Sequence, residues 1–347
     1  MRSLGKARTR AILTGTALVA AIGLLAGCTG GGASENVVDQ GTSKDENAAA
    51  GDTVVIGFSG PAADHGWLGA INSGAQAAAD SFSDVELKVA EGTNDPIAQI
   101  AAVETFINEG VDAIVLLPTD GAALTEVAIQ AMEAGIPVIN VDREFSSPFA
   151  ARTTLLGDNY GMGVSAGTYI CEQLGGNSDA VVAEVAGIDS LPLTQDRSAG
   201  FADALSDCGL EVTARVAAEF TVASGEAVTS QLLSANPHID AIWNHDDDQG
   251  IGVLAAISAA NRDEFFMMGG AGSRSAMEAI EADDSVLKAT VIYPSTQAAD
   301  GVALARLIAQ GKTLGDLITP GVPYRIVLDA PVVTKDNVAD FIGLSFE

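Results

Sequence analysis

DTVVIGFSGPAADHGW, residues 52–67, decides how the rest of the chain is read. TVVIGF is a continuous run of apolar and β-branched residues, the pattern of a strand covered on both faces. It stops at Ser59, turns through Gly60 and Pro61, and then presents Asp64, His65 and Trp67 together. The chain has only two Trp and three His, so one of each in a single loop marks that loop for attention.

Outward from this stretch the pattern repeats. VELKVA, VDAIVLL and IPVINV alternate with LGAINSGAQAAADSF and PIAQIAAVETFINEG, which carry helical periodicity. Strands buried on both faces and separated by helices predict a parallel sheet with helices on each side. The residues after each strand, SGPAADHGW, EGTND, PTDG and DREFSSP, are polar. Ligands of open parallel sheets bind outside the carboxyl ends of the strands, and these loops collect there. After TTLLGDN (153–159) the alternation starts again with AVVAEVAG, LEVTARVAAEF, IDAIWN, EFFMMGG and VLKATVIY. Two similar α/β domains in tandem are expected, and 347 residues suffice for both.

The N-terminus is set apart from the fold. MRSLGKARTR carries four basic residues and no acid, and AILTGTALVAAIGLLAG is apolar up to Cys28, the layout of a signal peptide. LLAGC (24–28) resembles a bacterial lipobox, which makes Cys28 the lipidated new N-terminus. Residues 29–51 are small and polar and read as a flexible tether, with the folded part beginning near Asp52. Formal net charge is −29, from 17 basic and 46 acidic residues. Removal of Arg2, Lys6, Arg8 and Arg10 makes it more negative still. So acidic a surface repels phosphate backbones, which argues against a nucleic-acid partner. Cys171 and Cys208, each at an apparent helix, are the remaining cysteines; outside the membrane such a pair is expected as a disulfide.

Catalytic signatures are missing. There is no GxxxxGK[ST] phosphate loop and no GxSxG elbow, and the glycines of YGMGVSAG (160–167) are misspaced for a dinucleotide fingerprint. NHDDDQG (244–250) holds three consecutive acids, which cannot all converge on one ion. It reads instead as a strand-end acid followed by helix N-cap acids, so neither a metal nor a cofactor is expected. VDREF places Asp142 and Arg143 at a strand end, and LTQDRSAGF places Arg197 in the first turn of a helix, where positive charge opposes the dipole. Arginine forks, carboxylates and a nearby Trp are the groups that hold a polyhydroxylated ring.

These residues resemble the sugar-binding lipoproteins and periplasmic proteins of ABC importers, of the ribose- and galactose-binding type, from 52 to about 329. The resemblance rests on Ser59 with its aromatic-bearing loop, the pair Asp142–Arg143, the R-x-x-G-F of Arg197 to Phe201, and the acids after IDAIWN. It implies a type I periplasmic binding protein fold: two doubly wound parallel-sheet domains joined by a three-segment hinge that close on one sugar. Crossings would fall near 155–159, 292–295 and 322–325. The first domain would comprise 52–157 plus 295–321, and the second 158–294 plus 322–347. The implied ligand residues are Ser59, Asp64, His65, Trp67, Asp142 and Arg143 from the first domain. Arg197, Phe220, Asp246 and, near the hinge, Tyr293 complete the set.

Departures are visible. Ala271, in GAGS, stands where the family has a sugar-binding Asp, and ADHGW replaces a pair of Phe in ribose binders. The implied function is capture of a monosaccharide or polyol and delivery to a membrane permease by a monomer anchored outside the cell membrane, without enzymatic chemistry. A sensory protein feeding a chemoreceptor or histidine kinase shares the same site. An enzyme on a doubly wound fold is the third reading.

Overall fold

The computed structural model describes residues 42–315, 317 and 321–347. The expected signal peptide, Cys28 and the expected tether up to residue 41 lie outside the described residues. The chain opens with helix α1 (Lys44–Ala48), then β1 (Val54–Ser59), α2 (Gly66–Ser81), β2 (Val85–Val89), α3 (Pro96–Glu109) and β3 (Ala113–Leu116). Next come α4 (Gly121–Glu133), β4 (Val138–Val141), β5 (Thr153–Gly157), α5 (Asn159–Leu174), β6 (Val182–Ala186) and α6 (Pro192–Asp207). They are followed by β7 (Val212–Ala217), α7 (Val222–Ala235), β8 (Ala241–Asn244), α8 (Asp247–Ala259), β9 (Phe266–Ala271), α9 (Arg274–Ala282) and β10 (Leu287–Ile292). The last elements are α10 (Gln297–Ala309), β11 (Arg325–Leu328), β12 (Val332–Thr334), α11 (Val338–Phe341) and a 3-10 turn at Ile342–Leu344.

Two six-stranded sheets result, ordered β11-β5-β4-β3-β1-β2 and β12-β10-β9-β8-β6-β7. Every pairing is parallel except β10 with β12. The central strands β3, β4, β6 and β8 are buried along their whole length, as their unbroken apolar runs require. Helix starts follow local chemistry: Asp95, Asp120, Asp158 and Asp246 cap α3, α4, α5 and α8 with their own carboxylates, and Pro96 occupies the first position of α3.

The chain passes between the sheets three times: from β5 into α5, from β10 into α10, and from β11 to β12. The third passage corrects the expectation of 322–325. Residues 325–328 pair with 154–157 of β5, so β11 still belongs to the first sheet and the passage falls at 329–331. RIVL alternates exposed and half-buried positions, an edge pattern that carries no information about which sheet it joins.

The end of the expected tether is also corrected. Ser43 and Glu46 form a capping box at α1. The Arg306 guanidinium donates to the Asn47 and Ala49 carbonyls, and Thr42 and Thr313 bond each other. The same guanidinium forms a buried pair with Asp84, Nε to Oδ1 at 2.7 Å and Nη2 to Oδ2 at 2.6 Å. Apolar periodicity is blind to this contact, since the segment docks through its backbone carbonyls. Cys171 on α5 and Cys208 at the end of α6 are joined by a disulfide, with Cα atoms 6.2 Å apart.

Two outcomes are expected. The Arg306 hydrogen bonds hold the Asp84 carboxyl well below the usual carboxylate range, against the opposing push of burial. A depressed carboxylate stabilises the fold above its unfolded pKa and loses that contribution as pH falls. Arg306→Ala should therefore cost about 3–5 kcal/mol at neutral pH, and urea unfolding should show the gap to wild type narrowing below about pH 4. For the disulfide, the sequence separation is 37 residues. Closing such a loop is worth about 3–4 kcal/mol in chain entropy, so the Cys171→Ser, Cys208→Ser double variant should lower the urea midpoint accordingly.

Candidate ligand-binding site

The carboxyl ends of the two sheets supply the groups that meet between the domains. Asp142 follows β4 directly and adopts φ 63°, a left-handed conformation that few non-glycine residues take. Its amide donates to the Leu155 carbonyl at 2.8 Å, which holds the turn and keeps the side chain buried. Tyr293 follows β10, and its hydroxyl donates to Asp142 Oδ1. Asn159, the first residue of α5, donates from Nδ2 to the same hydroxyl at 3.1 Å. Arg197 completes the group: Nε donates to Asn159 Oδ1 at 2.9 Å and Nη1 to the His245 carbonyl at 3.1 Å. Its guanidinium carbon lies 4.4 Å from the Tyr293 ring centre and 5.8 Å from that of Phe220.

Aromatic contacts extend the cluster. Trp67 is buried, its ring centre 5.4 Å from Tyr293, and its indole nitrogen donates to the Tyr293 carbonyl at 3.2 Å. His65 lies 6.3 Å from Phe220, ring centre to ring centre, across the domain boundary. Phe220 has φ 60°, and its ring lies where a Cβ at Gly187 would be, so that position needs glycine. Beside the cluster a cavity of about 350 Å³ opens between Asp142, Arg143 and Asn159 and the start of α6 at Leu191, Pro192 and Asp196.

Burial shapes the electrostatics. It pushes the Tyr293 phenol upward, reinforced by the Asp142 charge. It also raises Asp246 well above the usual carboxylate range, reinforced by Asp248. Burial pushes the His245 imidazole down, although Nε2 lies 2.9 Å from Glu184 Oε1. The next acid, Asp247, accepts from the amides of Gly270, Gly272 and Ser273 and from the Thr290 hydroxyl. Burial still moves its carboxyl up to about 7.

The expected ligand residues are thus distributed unevenly. His65, Trp67, Asp142, Arg197, Phe220 and Tyr293 are joined in one chain of contacts. Arg143 lines the cavity while its Nη1 donates to the Thr119 carbonyl at 2.9 Å, and its Nε makes no hydrogen bond but lies 3.9 Å from Asp142 Oδ2. Asp246 caps α8 through Gln249 at 3.0 Å. Ser59 accepts from Gln99 Nε2 at 3.3 Å in the buried end of β1. Asp64 is exposed, with its oxygens on His65 and Asn94. Arg197 is the sixth residue of α6, in the second turn rather than the first, and is 4% exposed, so its partners are side-chain and carbonyl oxygens and not solvent. Ala271 is buried at the end of β9 with φ 91°, and its carbonyl accepts from the Tyr293 amide at 3.1 Å.

Sequence reading missed Asn159 and Asp248. Asn159 ends TTLLGDN, and its polar side chain at a passage between sheets was the available signal. Asp248, which accepts from the Trp67 amide at the edge of the cluster and not within it, offered none, because that partner is 181 residues away in sequence.

The periplasmic binding protein domain family matches residues 56–313. The ribose import binding protein of Bacillus subtilis is 31% identical over 221 residues, covering 62% of this chain and 70% of that protein. The galactofuranose-binding protein of Escherichia coli is 29% identical over 213 residues, 60% of this chain and 66% of its own length. A Mycobacterium smegmatis protein in complex with β-D-fucofuranose superposes with TM-score 0.75 at 25% identity, covering 84% of this chain and 94% of that one. The match spans both sheets and most of the chain, which belongs to the periplasmic binding protein domain family.

Proposed function

We propose that this protein captures a monosaccharide or polyol between its two domains and delivers it to the membrane permease of an ABC importer. The observation that carries the reading is the cluster of Trp67, Asp142, Asn159, Arg197, Phe220 and Tyr293, drawn from strand-end loops and early helix turns of both domains. Carboxylate and amide oxygens accept from sugar hydroxyls, guanidinium and amide N–H groups donate to hydroxyl and ring oxygens, and the aromatic faces cover C–H surfaces. Because the groups come from two sheets linked by three short passages, hinge closure can assemble them around a ligand and opening can release it. The family is one of solute binders rather than enzymes. The names of its relatives, ribose import and galactofuranose binding, point to the same ligand class.

Arg143 and Asp246 contribute hydroxyl partners from opposite domains in this reading. Ser59 and Asp64 support the first loop. The protein works as a monomer on the outer face of the cytoplasmic membrane or in the periplasm, held by lipid on Cys28.

Thermal unfolding against ribose, arabinose, galactose, allose and myo-inositol tests the ligand class. A ligand at a thousand times its dissociation constant adds about 4 kcal/mol, a rise of several degrees in Tm for a protein of this size. Asp142→Ala and Trp67→Ala should abolish the rise; a flat response to every sugar and polyol would refute the reading. Anchoring is tested separately. Cys28→Ala should move the protein from the membrane fraction to the soluble fraction, because two acyl chains are needed for stable attachment.

A further inference from the structure

Three consecutive carboxylates, Asp246 to Asp248, face three different tasks. Asp246 caps its own helix α8, and Asp247 fastens the turn after β9. Asp248 reaches into the other domain. Its Oδ2 accepts from the Trp67 amide at 3.2 Å, and its Oδ1 lies 2.8 Å from where a Cβ on Gly66 would be.

The recipient is the start of α2, a 16-residue helix whose N-cap residue, His65, supplies no side-chain hydrogen bond. The first amides of a helix have no partner within it and carry the positive end of its dipole. α3, α4, α5 and α7 satisfy such amides with Asp95, Asp120, Asp158 and Thr221 from their own N-cap positions. In α2 the acceptor comes from the second domain. In a chain with 46 acidic and only 17 basic residues, bringing two domains together opposes like charges. A helix N-terminus offers Asp248 a positive partner without a basic side chain.

We propose that Asp248 is the closure latch of this protein: a positioning residue that caps α2 across the domain boundary and so holds Trp67 against Tyr293 in the closed form. The latch rests on the reading of a closing, ligand-capturing cleft, and it regulates release rather than recognition. Opening must break the cap before ligand leaves. Capture by the open form does not involve it.

Hydrogen exchange across residues 60–70 reads the latch directly, in the ligand-free protein and with ribose, galactose or myo-inositol at saturation. The Trp67 amide should exchange about threefold to thirtyfold faster in Asp248→Ala than in wild type, the range set by losing one N-cap. Asp248→Glu should restore part of the protection. Gly66→Ala, which places a methyl against the carboxylate from the opposite domain, should reproduce the Asp248→Ala effect. For any of the three sugars that binds, dissociation should accelerate by a similar factor while association stays unchanged.

Equal Trp67 exchange in wild type and Asp248→Ala, with and without the sugars, overturns the proposal. So does faster exchange that also spreads through 249–259 of α8, which would mark a local loss of second-domain structure. If the exchange difference holds while no sugar binds, the latch stands and the sugar reading falls.

Discussion

The Tyr293 hydroxyl donates to Asp142 and accepts from Asn159, while Arg197 lies over the ring and Trp67 packs at its side. Asp142 ends a strand of the first sheet. Asn159 and Arg197 belong to helices of the second. Tyr293 itself stands on the passage from the second sheet back to the first, so one side chain ties both domains to the hinge segment that joins them. The backbone accommodates it closely: a Cβ at Gly157, also beside a passage, would run into the Tyr293 ring. Strand ends, crossing point and candidate ligand groups therefore form one connected structure.

Among the described residues, three of the five non-glycine residues with positive φ stand in this region. Asp142, Phe220 and Ala271 all have positive φ, at the ends of β4, β7 and β9 or just beyond them. Such conformations cost of order 1–3 kcal/mol each and persist only where the surroundings hold them. The supports are visible here. Asp142 is held by its amide bond to Leu155, Phe220 by its amide donating to Gln249 Oε1 at 3.0 Å, and Ala271 by its carbonyl on Tyr293. Each arrangement turns the chain sharply off the sheet, which is what aims Asp142 and Phe220 toward the space between the domains instead of continuing the strand.

Much of this was legible in the sequence. Unbroken apolar runs of four to six residues identify strands covered on both faces, and polar loops at their carboxyl ends point to the candidate site. The placement of Arg197 near a helix start was an informative anomaly, although the buried charge is met by the Asn159 side-chain oxygen and the His245 carbonyl and not by the dipole. What stayed hidden depends on contacts that periodicity cannot encode. β11 is an edge strand whose pattern fits either sheet, and only its register with β5 assigns it. Residues 42–51 look like tether because they carry no apolar side chain larger than Ala, yet their carbonyls accept from Arg306 and Lys312.

The run Asp246-Asp247-Asp248 shows where the boundary between the two kinds of information lies. Successive residues entering a helix point about 100° apart, since a turn takes 3.6 residues. Three neighbouring carboxylates at a helix start must then face three directions, which is the sequence argument against a shared ion. Direction is not destination. The cap on Gln249 is local and could be read three residues away, whereas the turn after β9 lies more than twenty residues on. The α2 amide is in another domain. The acidity that looked like mere surface charge includes donors' partners at helix starts throughout the fold, so part of the excess of Asp over basic residues is matched by backbone N–H groups instead of by Lys or Arg.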